Sequence, residues 1–480
     1  MAIALLTTGF LLAASIAVYQ FVRLRSAEER IEELEAQLAE GGEGDGSGGG
    51  LLEGLGDAFD EILEGAEGLL DQGGLGGGLD LLSCLGTGGL PSGEPLRIEG
   101  SPEDQVRQVS AAVEDIRELE FARPVEAEFL SPPETAARIR ELFLEEYTEE
   151  VAEAEELILT ALGAVAPGTD LQQIWVDALE AQVAGFYEPE TGELVVRTPG
   201  QDLSAFDKIA LAHELEHALA DQRLELPIPE DSIPGQKDSE VASLAVVEGD
   251  AVLTQTLFAA RLPLEEQLID PPAIADAQAQ MAQFPQYLQQ EVLFPYTDGL
   301  SFVCELFAEG GWEAVNAAYD RPPTTSAEIL FPERYGSGPP ADPPDPGSPG
   351  QGWRMEGTHQ LGAAQLLWLF QAPGNRPGDA LSDPLGSVAA WDGGELHLWT
   401  RGPDSAVGIA LAERPGEEAG LCGAITQWYG AAFENDRETE TAGGGLQADG
   451  ERQDAVIACP GDQVRVGIAT DLATARALVG

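Results

Sequence analysis

The chain has 480 residues, enough for two or three domains with real cores, and its 85 acidic and 24 basic residues give a formal net charge of −61. Such a charge repels nucleic acid and anionic membrane surfaces, so we expect no nucleic-acid partner. Four cysteines are too few for a disulfide framework in a chain of this length.

The N-terminal segment 1–22 contains no charged side chain, and its length is about that of a helix that spans a bilayer. It has no basic leader and runs into Tyr19-Gln20-Phe21-Val22 rather than ending in small residues, which favours a retained anchor over a cleaved signal peptide. We therefore predict a single-pass transmembrane helix. Three arginines follow it, and the positive-inside rule taken alone would place the rest of the chain in the cytoplasm.

Two polar segments separate this anchor from the first predicted domain. Residues 23–40 have apolar residues at helical spacing among many charges and predict a charged helix. Residues 41–100 are rich in Gly, Asp and Glu and predict an acidic, flexible tether. Beyond them we predict a folded domain over 101–335, a Pro/Gly linker over 336–352 and a C-terminal region over 353–480.

The first predicted domain opens with alternating helical and extended patterns. Apolar spacing predicts a helix over 106–121, and alternation predicts a strand over 123–130. Ser131, followed by two prolines, then has the character of the N-cap of another helix. Further on, 185–196 holds two β-prone runs around a Pro/Gly turn and predicts a hairpin. This hairpin either offers an edge strand to an extended peptide or is plain structural sheet, and the sequence leaves both open.

The next predicted helix, 209–220, contains His213-Glu214-x-x-His217 in a run without Gly or Pro. Residues four apart lie on one face of a helix, so His213 and His217 can present two imidazole nitrogens to one ion. Glu214 lies beside them and can reach a water on that ion without being a ligand. The chain has only four histidines, so a chance pairing around a glutamate is the weaker interpretation. The motif predicts zinc-dependent hydrolysis.

A catalytic zinc ion usually has three protein ligands, so one more is needed. The predicted helix 239–262 places Glu248 and Asp250 in an apolar setting, where an unpaired carboxylate is costly to bury. Glu248 follows His217 at a distance that allows a turn and a return, and we assign it as the third ligand. Asp250 would then accept the free ring N–H of one histidine and fix its tautomer. The alternative exchanges the roles of the two acids.

The C-terminal region carries both helical and extended patterns. We predict a buried helix over 361–370, a turn at Gly393-Gly394 between two β-prone runs, and further strands over 407–411, 455–459 and 464–468. With these elements the whole chain is predicted to be α+β and mainly helical, ending in a small α+β region. Cys422 and Cys459 could form a disulfide in an oxidising compartment, whereas Cys304 is predicted to be a buried free thiol.

The motif and its surroundings resemble a family of mostly uncharacterised bacterial HExxH zinc metallopeptidases of the gluzincin type. The likeness covers roughly 180–335 of this sequence. It implies a zincin-like metallopeptidase domain, a Zn²⁺ cofactor and a catalytic role for Glu214, but no particular substrate. The stretches that carry it are 185–189, 210–222, 247–251, 295–299, 310–312 and 322–326.

The predicted function is that of a membrane-anchored zinc-dependent peptidase. Glu214 would act as general base on a zinc-activated water that attacks a peptide carbonyl. The resulting oxyanion needs a further donor, and Tyr187, Tyr296 and His359 are candidates by residue type alone.

The partners that follow from this function are a peptide or protein substrate and the membrane, through the N-terminal helix. A peptidase on a long tether is more useful outside the cell, so we expect an extracytoplasmic catalytic domain. The alternative function is that of a catalytically silent, metallopeptidase-like binding or scaffold protein.

Overall fold

The structure is a computed structural model that describes residues 95–480, except 183, 198–202, 229–236, 264–278, 415–419 and 442–443. The predicted membrane anchor, the charged helix and nearly all of the tether lie outside the described residues. The described part is a mixed α+β fold with a three-stranded and a seven-stranded sheet.

Four helices and the small sheet make up the first part of the fold. In the sheet, β3 lies in the middle, parallel to β1 and antiparallel to β2, so the predicted hairpin is confirmed and β2 forms an edge. Ser131 is the N-cap predicted for α2, and its backbone N–H donates to Glu134 in a capping box. The elements are α1 (Pro102–Arg117), β1 (Ala127–Leu130), α2 (Pro132–Glu146), α3 (Glu149–Ala161), α4 (Leu171–Gln182), β2 (Gly185–Glu188) and β3 (Glu193–Arg197).

Three long helices follow: α5 (Ala205–Leu224), α6 (Asp238–Ala259) and α7 (Gln286–Asp320). Two glycines let α6 and α7 cross closely, because a Cβ on Gly249 would overlap the carbonyl of Gly299, and one on Gly299 would overlap the carbonyl of Ala245. A glycine inside a helix costs about 1 kcal/mol relative to alanine, so it persists here for the sake of this contact. The close crossing fixes α6 against α7.

Helix α6 is long and apolar enough to cross a membrane, and within the described ranges it is the one helix of that kind. However, 94% of its most apolar window is buried inside the protein, as in the core helix of a soluble protein. Its apolar character is therefore explained by packing against the helices around it.

The C-terminal part is built on the seven-stranded sheet, whose order is β4-β5-β6-β10-β9-β8-β7 with every neighbouring pair antiparallel. The predicted strands 407–411, 455–459 and 464–468 correspond to β6, β9 and β10. The elements are α8 (Ser326–Leu330), β4 (Arg354–Gln360), α9 (Ala363–Gln371), α10 (Pro384–Val388), β5 (Trp391–Arg401), β6 (Asp404–Glu413), α11 (Gly420–Ala432), β7 (Asn435–Glu440), β8 (Leu446–Gly450), β9 (Asp454–Ala458), β10 (Gln463–Ala469) and α12 (Leu472–Leu478).

The turn predicted at Gly393-Gly394 was wrong, because β5 passes through both glycines. Their absent side chains serve close packing instead: a Cβ on Gly393 would overlap the carbonyl of Ala341, and one on Gly394 would overlap that of Leu361. A register shift between Trp391 and Gly393 also makes the start of the strand irregular.

The sequence left the pairing of Cys422 and Cys459 open and predicted a free thiol at Cys304. Cys422 and Cys459 form a disulfide with their Cα atoms 6.1 Å apart, which ties α11 to the end of β9. Cys304 is also disulfide-bonded, so the free thiol predicted there was wrong. A single cysteine on an apolar helix face carries no local sign of a distant partner.

The helical part and the seven-stranded sheet share one hydrophobic core cluster. Trp368 of α9 packs edge-on against Tyr287 and Phe294 of α7, with ring centroids 5.3 and 5.7 Å apart. At the start of α6, the backbone N–H of Asp238 donates to the side chain of Gln360 in β4 at 3.0 Å. The sheet therefore supports the helices that carry the predicted site.

Candidate metal centre

The start of α5 is fixed by a capping box. The Ser204 side chain accepts from the backbone N–H of Asp207 at 3.1 Å, and the Asp207 carboxylate accepts from the N–H of Ser204 at 2.8 Å. From this start the helix runs unbroken through the motif, and its side chains from Lys208 to Ala220 are buried. Both histidines therefore face the protein interior.

The structure brings the three predicted ligands together. Oε2 of Glu248 lies 3.1 Å from Nε2 of His213 and 3.8 Å from Nε2 of His217. The two imidazole rings meet edge to face with centroids 4.6 Å apart. One ligand atom from each residue lies within 4.8 Å of the other two, and the side chains are at most 1% exposed. Within the described ranges this is the only group of such side chains that could hold a metal ion.

The electrostatics of these residues fit a divalent cation. Burial lowers the pKa of His213 well below its usual value and that of His217 to about 3, so both rings are neutral, as metal ligation requires. Burial also raises the pKa of Glu248 well above its usual value, and nearby carboxylates raise it further. A cation placed between the rings and this carboxylate would reverse that penalty.

More carboxylates surround the three ligands than Arg117 can neutralise. The acids Glu214, Glu216, Glu248 and Asp250 are all at most 2% exposed. Within the described part of the chain, Arg117 forms ion pairs with two of these acids, Glu216 and Asp250. Buried negative charge needs a partner, and a metal ion between the histidines and Glu248 would supply it.

Glu214 is held by the edge strand of the small sheet. The backbone N–H of Tyr187 in β2 donates to Oε2 of Glu214 at 3.0 Å. Burial raises the pKa of Glu214 well above its usual value, and this hydrogen bond opposes the rise. The hairpin left open by the sequence thus touches the motif directly, and Glu214 lies between an edge strand and the candidate metal ligands.

Of the three candidate oxyanion donors, the structure brings Tyr296 to the metal ligands. Its ring stacks near that of His213, with centroids 6.3 Å apart, and its hydroxyl lies near enough to the Glu248 carboxylate to lower the pKa of that group. Tyr187 directs its hydroxyl to Asp221, donating to Oδ2 at 2.6 Å. Tyr296 is therefore the donor whose position suits the predicted role.

His359 lies elsewhere, in β4. It borders a cavity of about 390 Å³ between α3, α7 and the seven-stranded sheet, together with Glu155, Tyr287 and Glu291. Burial and the proximity of His397 lower the pKa of His359. The structure does not bring it to the motif helix: the lining of this cavity includes no residue of α5 and no candidate metal ligand.

The role predicted for Asp250 is corrected. Its Oδ2 accepts hydrogen bonds from Nη2 of Arg117 at 2.8 Å and from the hydroxyl of Tyr319 at 2.9 Å, not from a histidine ring. Residues two positions apart on a helix point in directions about 200° apart, so the Asp250 side chain points away from the side of α6 on which Glu248 lies. The exchange of roles between the two acids fails for the same reason.

Two residues near the ligands were missed by the sequence reasoning. Arg117 ends α1, and no local pattern marks it as the partner of acids on two other helices. Gln255 lies near the ring of His213 and raises the pKa of that histidine against the effect of burial. It lies seven positions after Glu248 and so on the same face of α6, a spacing that could have revealed it.

Comparison with known proteins adds little to this geometry. No protein-family model matches the chain, and no curated protein matches it. A crystal structure from Chloroflexus aurantiacus, described as that of a suspected hydrolase with a novel fold, matches 50% of this chain and 91% of its own, with 18% identity and a TM-score of 0.32. A likeness at that TM-score supports no inference about fold or function, so the resemblance to gluzincin metallopeptidases depends on the motifs alone.

Proposed function

We propose that this chain is a zinc-dependent peptidase in which His213, His217 and Glu248 hold the ion. The observation that carries the proposal is the convergence of three buried ligand atoms within 4.8 Å of one another. Two neutral imidazoles and one carboxylate form a donor set used by catalytic zinc, which keeps a fourth position for water or substrate.

Glu214 is the proposed general base. Zinc bound in this centre supplies Lewis-acid chemistry and lowers the pKa of a water to about 7. Glu214 follows the first histidine directly and is held by the N–H of Tyr187, so its carboxylate keeps one orientation. Its carboxylate can accept the proton of the water and return it to the leaving amine.

Tyr296 is the proposed substrate-facing group, and β2 is proposed to position the base. A hydroxyl that already approaches the Glu248 carboxylate can donate to negative charge that develops on a peptide oxygen. All four residues of β2 are buried, and the N–H of Tyr187 on its outer edge is donated to Glu214. This strand therefore orients Glu214 and leaves no open edge for an extended peptide.

The membrane anchor and an extracytoplasmic peptidase domain belong to the same proposal. The disulfide between Cys422 and Cys459 supports that location, because disulfides persist in oxidising compartments and are rare in the cytosol. Treating intact cells with an external protease tests it: loss of the C-terminal region is expected, and its protection would contradict an outward orientation.

The peptidase proposal is tested by zinc content and hydrolysis of a broad peptide library. Glu214→Gln should keep stoichiometric zinc and lose about 10²–10⁴-fold in hydrolysis, since it removes only the base. His217→Ala should lose both. Glu153→Gln, an exposed change on α3, should keep both and serves as the control. Wild-type protein that holds zinc but cleaves nothing in the library would instead support the catalytically silent binding or scaffold protein.

A further inference from the structure

A cluster of buried charges lies behind the metal ligands. Nε of Arg117 is 3.5 Å from Oε1 of Glu216, and its Nη2 is 2.8 Å from Oδ2 of Asp250. The ring of Trp312 lies 4.2 Å from the guanidinium carbon, and the three charged side chains have no exposed surface. The chemistry proposed above gives these charges no role, although burying each of them costs several kcal/mol, about as much as pairing returns.

Glu216 faces a metal ligand with its other oxygen. Oε2 of Glu216 lies 3.7 Å from Nδ1 of His217, and neither atom makes a hydrogen bond within the described part of the chain. Nε2 of the same ring faces Glu248. A histidine that ligates through Nε2 carries its remaining proton on Nδ1 and needs an acceptor there. The gap exceeds a hydrogen bond by about 0.5 Å, which a small side-chain rotation closes.

Arg117 determines which oxygen of Glu216 is available. It draws Oε1 towards its own Nε, which leaves Oε2 on the side of His217. Asp250 in turn fixes the guanidinium, and Asn316 accepts from the same Nη2 at 2.9 Å. The orientation of Glu216 therefore depends on a residue of α1, a helix far upstream of the motif.

The two histidines are supported in different ways. His213 lies near the neutral amide of Gln255, whereas His217 faces the carboxylate of Glu216. A carboxylate acceptor fixes the ring and raises its basicity more than an amide does. Loss of Glu216 should therefore weaken the binding of the metal ion by His217 and leave the binding by His213 unchanged.

We propose that Glu216 and Arg117 are positioning residues of the metal centre: Glu216 accepts the Nδ1–H of His217, and Arg117 holds Glu216 there by bridging it to Asp250. This inference rests on the metal centre of the proposed peptidase, but not on peptide hydrolysis. It makes α1 part of the metal site, although α1 supplies no ligand.

The test compares Zn²⁺ affinity, measured by competition with a chromophoric chelator, in wild type and Glu216→Gln. We expect affinity to fall about 10–100-fold. The visible absorption spectrum of bound Co²⁺ should change as well, because the ring is no longer fixed. Glu216→Asp, which keeps the charge, should recover part of the affinity. Arg117→Lys, which keeps a charge but loses the fork that reaches two acids, should give an intermediate loss.

Glu328→Gln is the matched control, because Glu328 is a buried carboxylate that accepts from Thr324 and Gly336, away from the metal ligands. It should lower the unfolding temperature and leave both metal readouts unchanged. A folded Glu216→Gln protein with wild-type Zn²⁺ affinity and an unchanged Co²⁺ spectrum would overturn the inference, as would wild-type protein that binds neither ion. Wild-type protein that binds zinc but cleaves no peptide would overturn only the peptidase proposal.

Discussion

The motif helices α5 and α6 and the seven-stranded sheet bury their polar groups in opposite ways. Between the helices, His217 and Glu248 direct polar atoms at one another from separate elements, and both side chains are at most 1% exposed. In the sheet, the buried His397 pairs at 2.8 Å with Glu395, two residues away on the same strand and partly exposed. The sheet satisfies its histidine locally, whereas the helices hold theirs in a form that suits a bound cation.

The two regions are stabilised by different interactions. A sheet core made of apolar side chains gains free energy by burial alone. Buried carboxylates gain free energy only when they are paired, so α5 and α6 depend on Arg117 and, in the proposed metal centre, on the ion. Disturbing charge or spacing should therefore have larger effects between the helices than in the sheet.

The largest effect is expected for Arg117→Met. It leaves Glu216 and Asp250 buried without their cation, and breaking such a pair costs about 3–5 kcal/mol in the free energy of unfolding. Urea unfolding measures it. The control is Arg107→Met on the same helix, where the ion pair with Asp104 is exposed and screened by water, so its loss should change the free energy of unfolding little. Equal losses in the two variants would contradict the contrast between buried and exposed pairs.

Metal removal should separate the two regions. At a free zinc concentration of 100 times the dissociation constant, binding adds about 2.7 kcal/mol to stability, so a chelator should lower the unfolding temperature. Hydrogen exchange should then speed up in α5 and α6 and stay unchanged in β6 and β10. Uniform acceleration across both regions would show that the ion does not act through the helix pair.

The close crossing of α6 and α7 is tested by a glycine-to-alanine substitution there and by the same substitution in α11, which packs against the sheet. Gly249→Ala places a Cβ on the carbonyl of Gly299 and should destabilise the protein by about 1–3 kcal/mol, outweighing the better helix propensity of alanine. Gly423→Ala in α11 meets nothing within 4 Å and should stabilise by up to about 1 kcal/mol. The two changes in unfolding free energy should have opposite signs. A gain in stability for both variants would contradict the close crossing.

The smallest effect is expected at the boundary of the two regions. Burial raises the pKa of Glu155 from 4.5 to about 7, so its protonated form stabilises the folded state below pH 4.5, and that stability is lost as pH rises through 7. Glu155→Gln should reduce the pH dependence of the unfolding free energy by about 1–2 kcal/mol. This is less than the pKa shift alone would give, because the residue lines a cavity.

Unfolding free energies at pH 5 and pH 8 measure the effect of Glu155. The unfolding free energy of the variant minus that of wild type should be larger at pH 8 than at pH 5. Glu153→Gln, exposed on the same helix, should leave the difference between the two pH values as it is in wild type. A Glu155→Gln protein that keeps the wild-type difference would show that this carboxyl does not titrate across that range.

Much of the site's local geometry could be predicted from spacing along one helix. The four-residue interval between His213 and His217 places them on one face whatever surrounds the helix. The same periodicity turns Asp250 away from Glu248, so the error in assigning it to a histidine came from ignoring the helix and not from missing information. Hairpin register was also local, because a short turn determines which residues pair.

The faces of the helices, the cap at Ser131, the hairpin and the candidate ligand types could be predicted, because each depends on neighbours a few residues away in the chain. The distant groups that meet those faces could not: Arg117 beside Glu216, Tyr296 beside His213, and the disulfide at Cys304 emerged from the folded structure. The folded structure also decided that the glycines of β5 serve packing instead of a turn. The physical reason is that these contacts join elements far apart in the chain, and their partners follow from how the core packs as a whole.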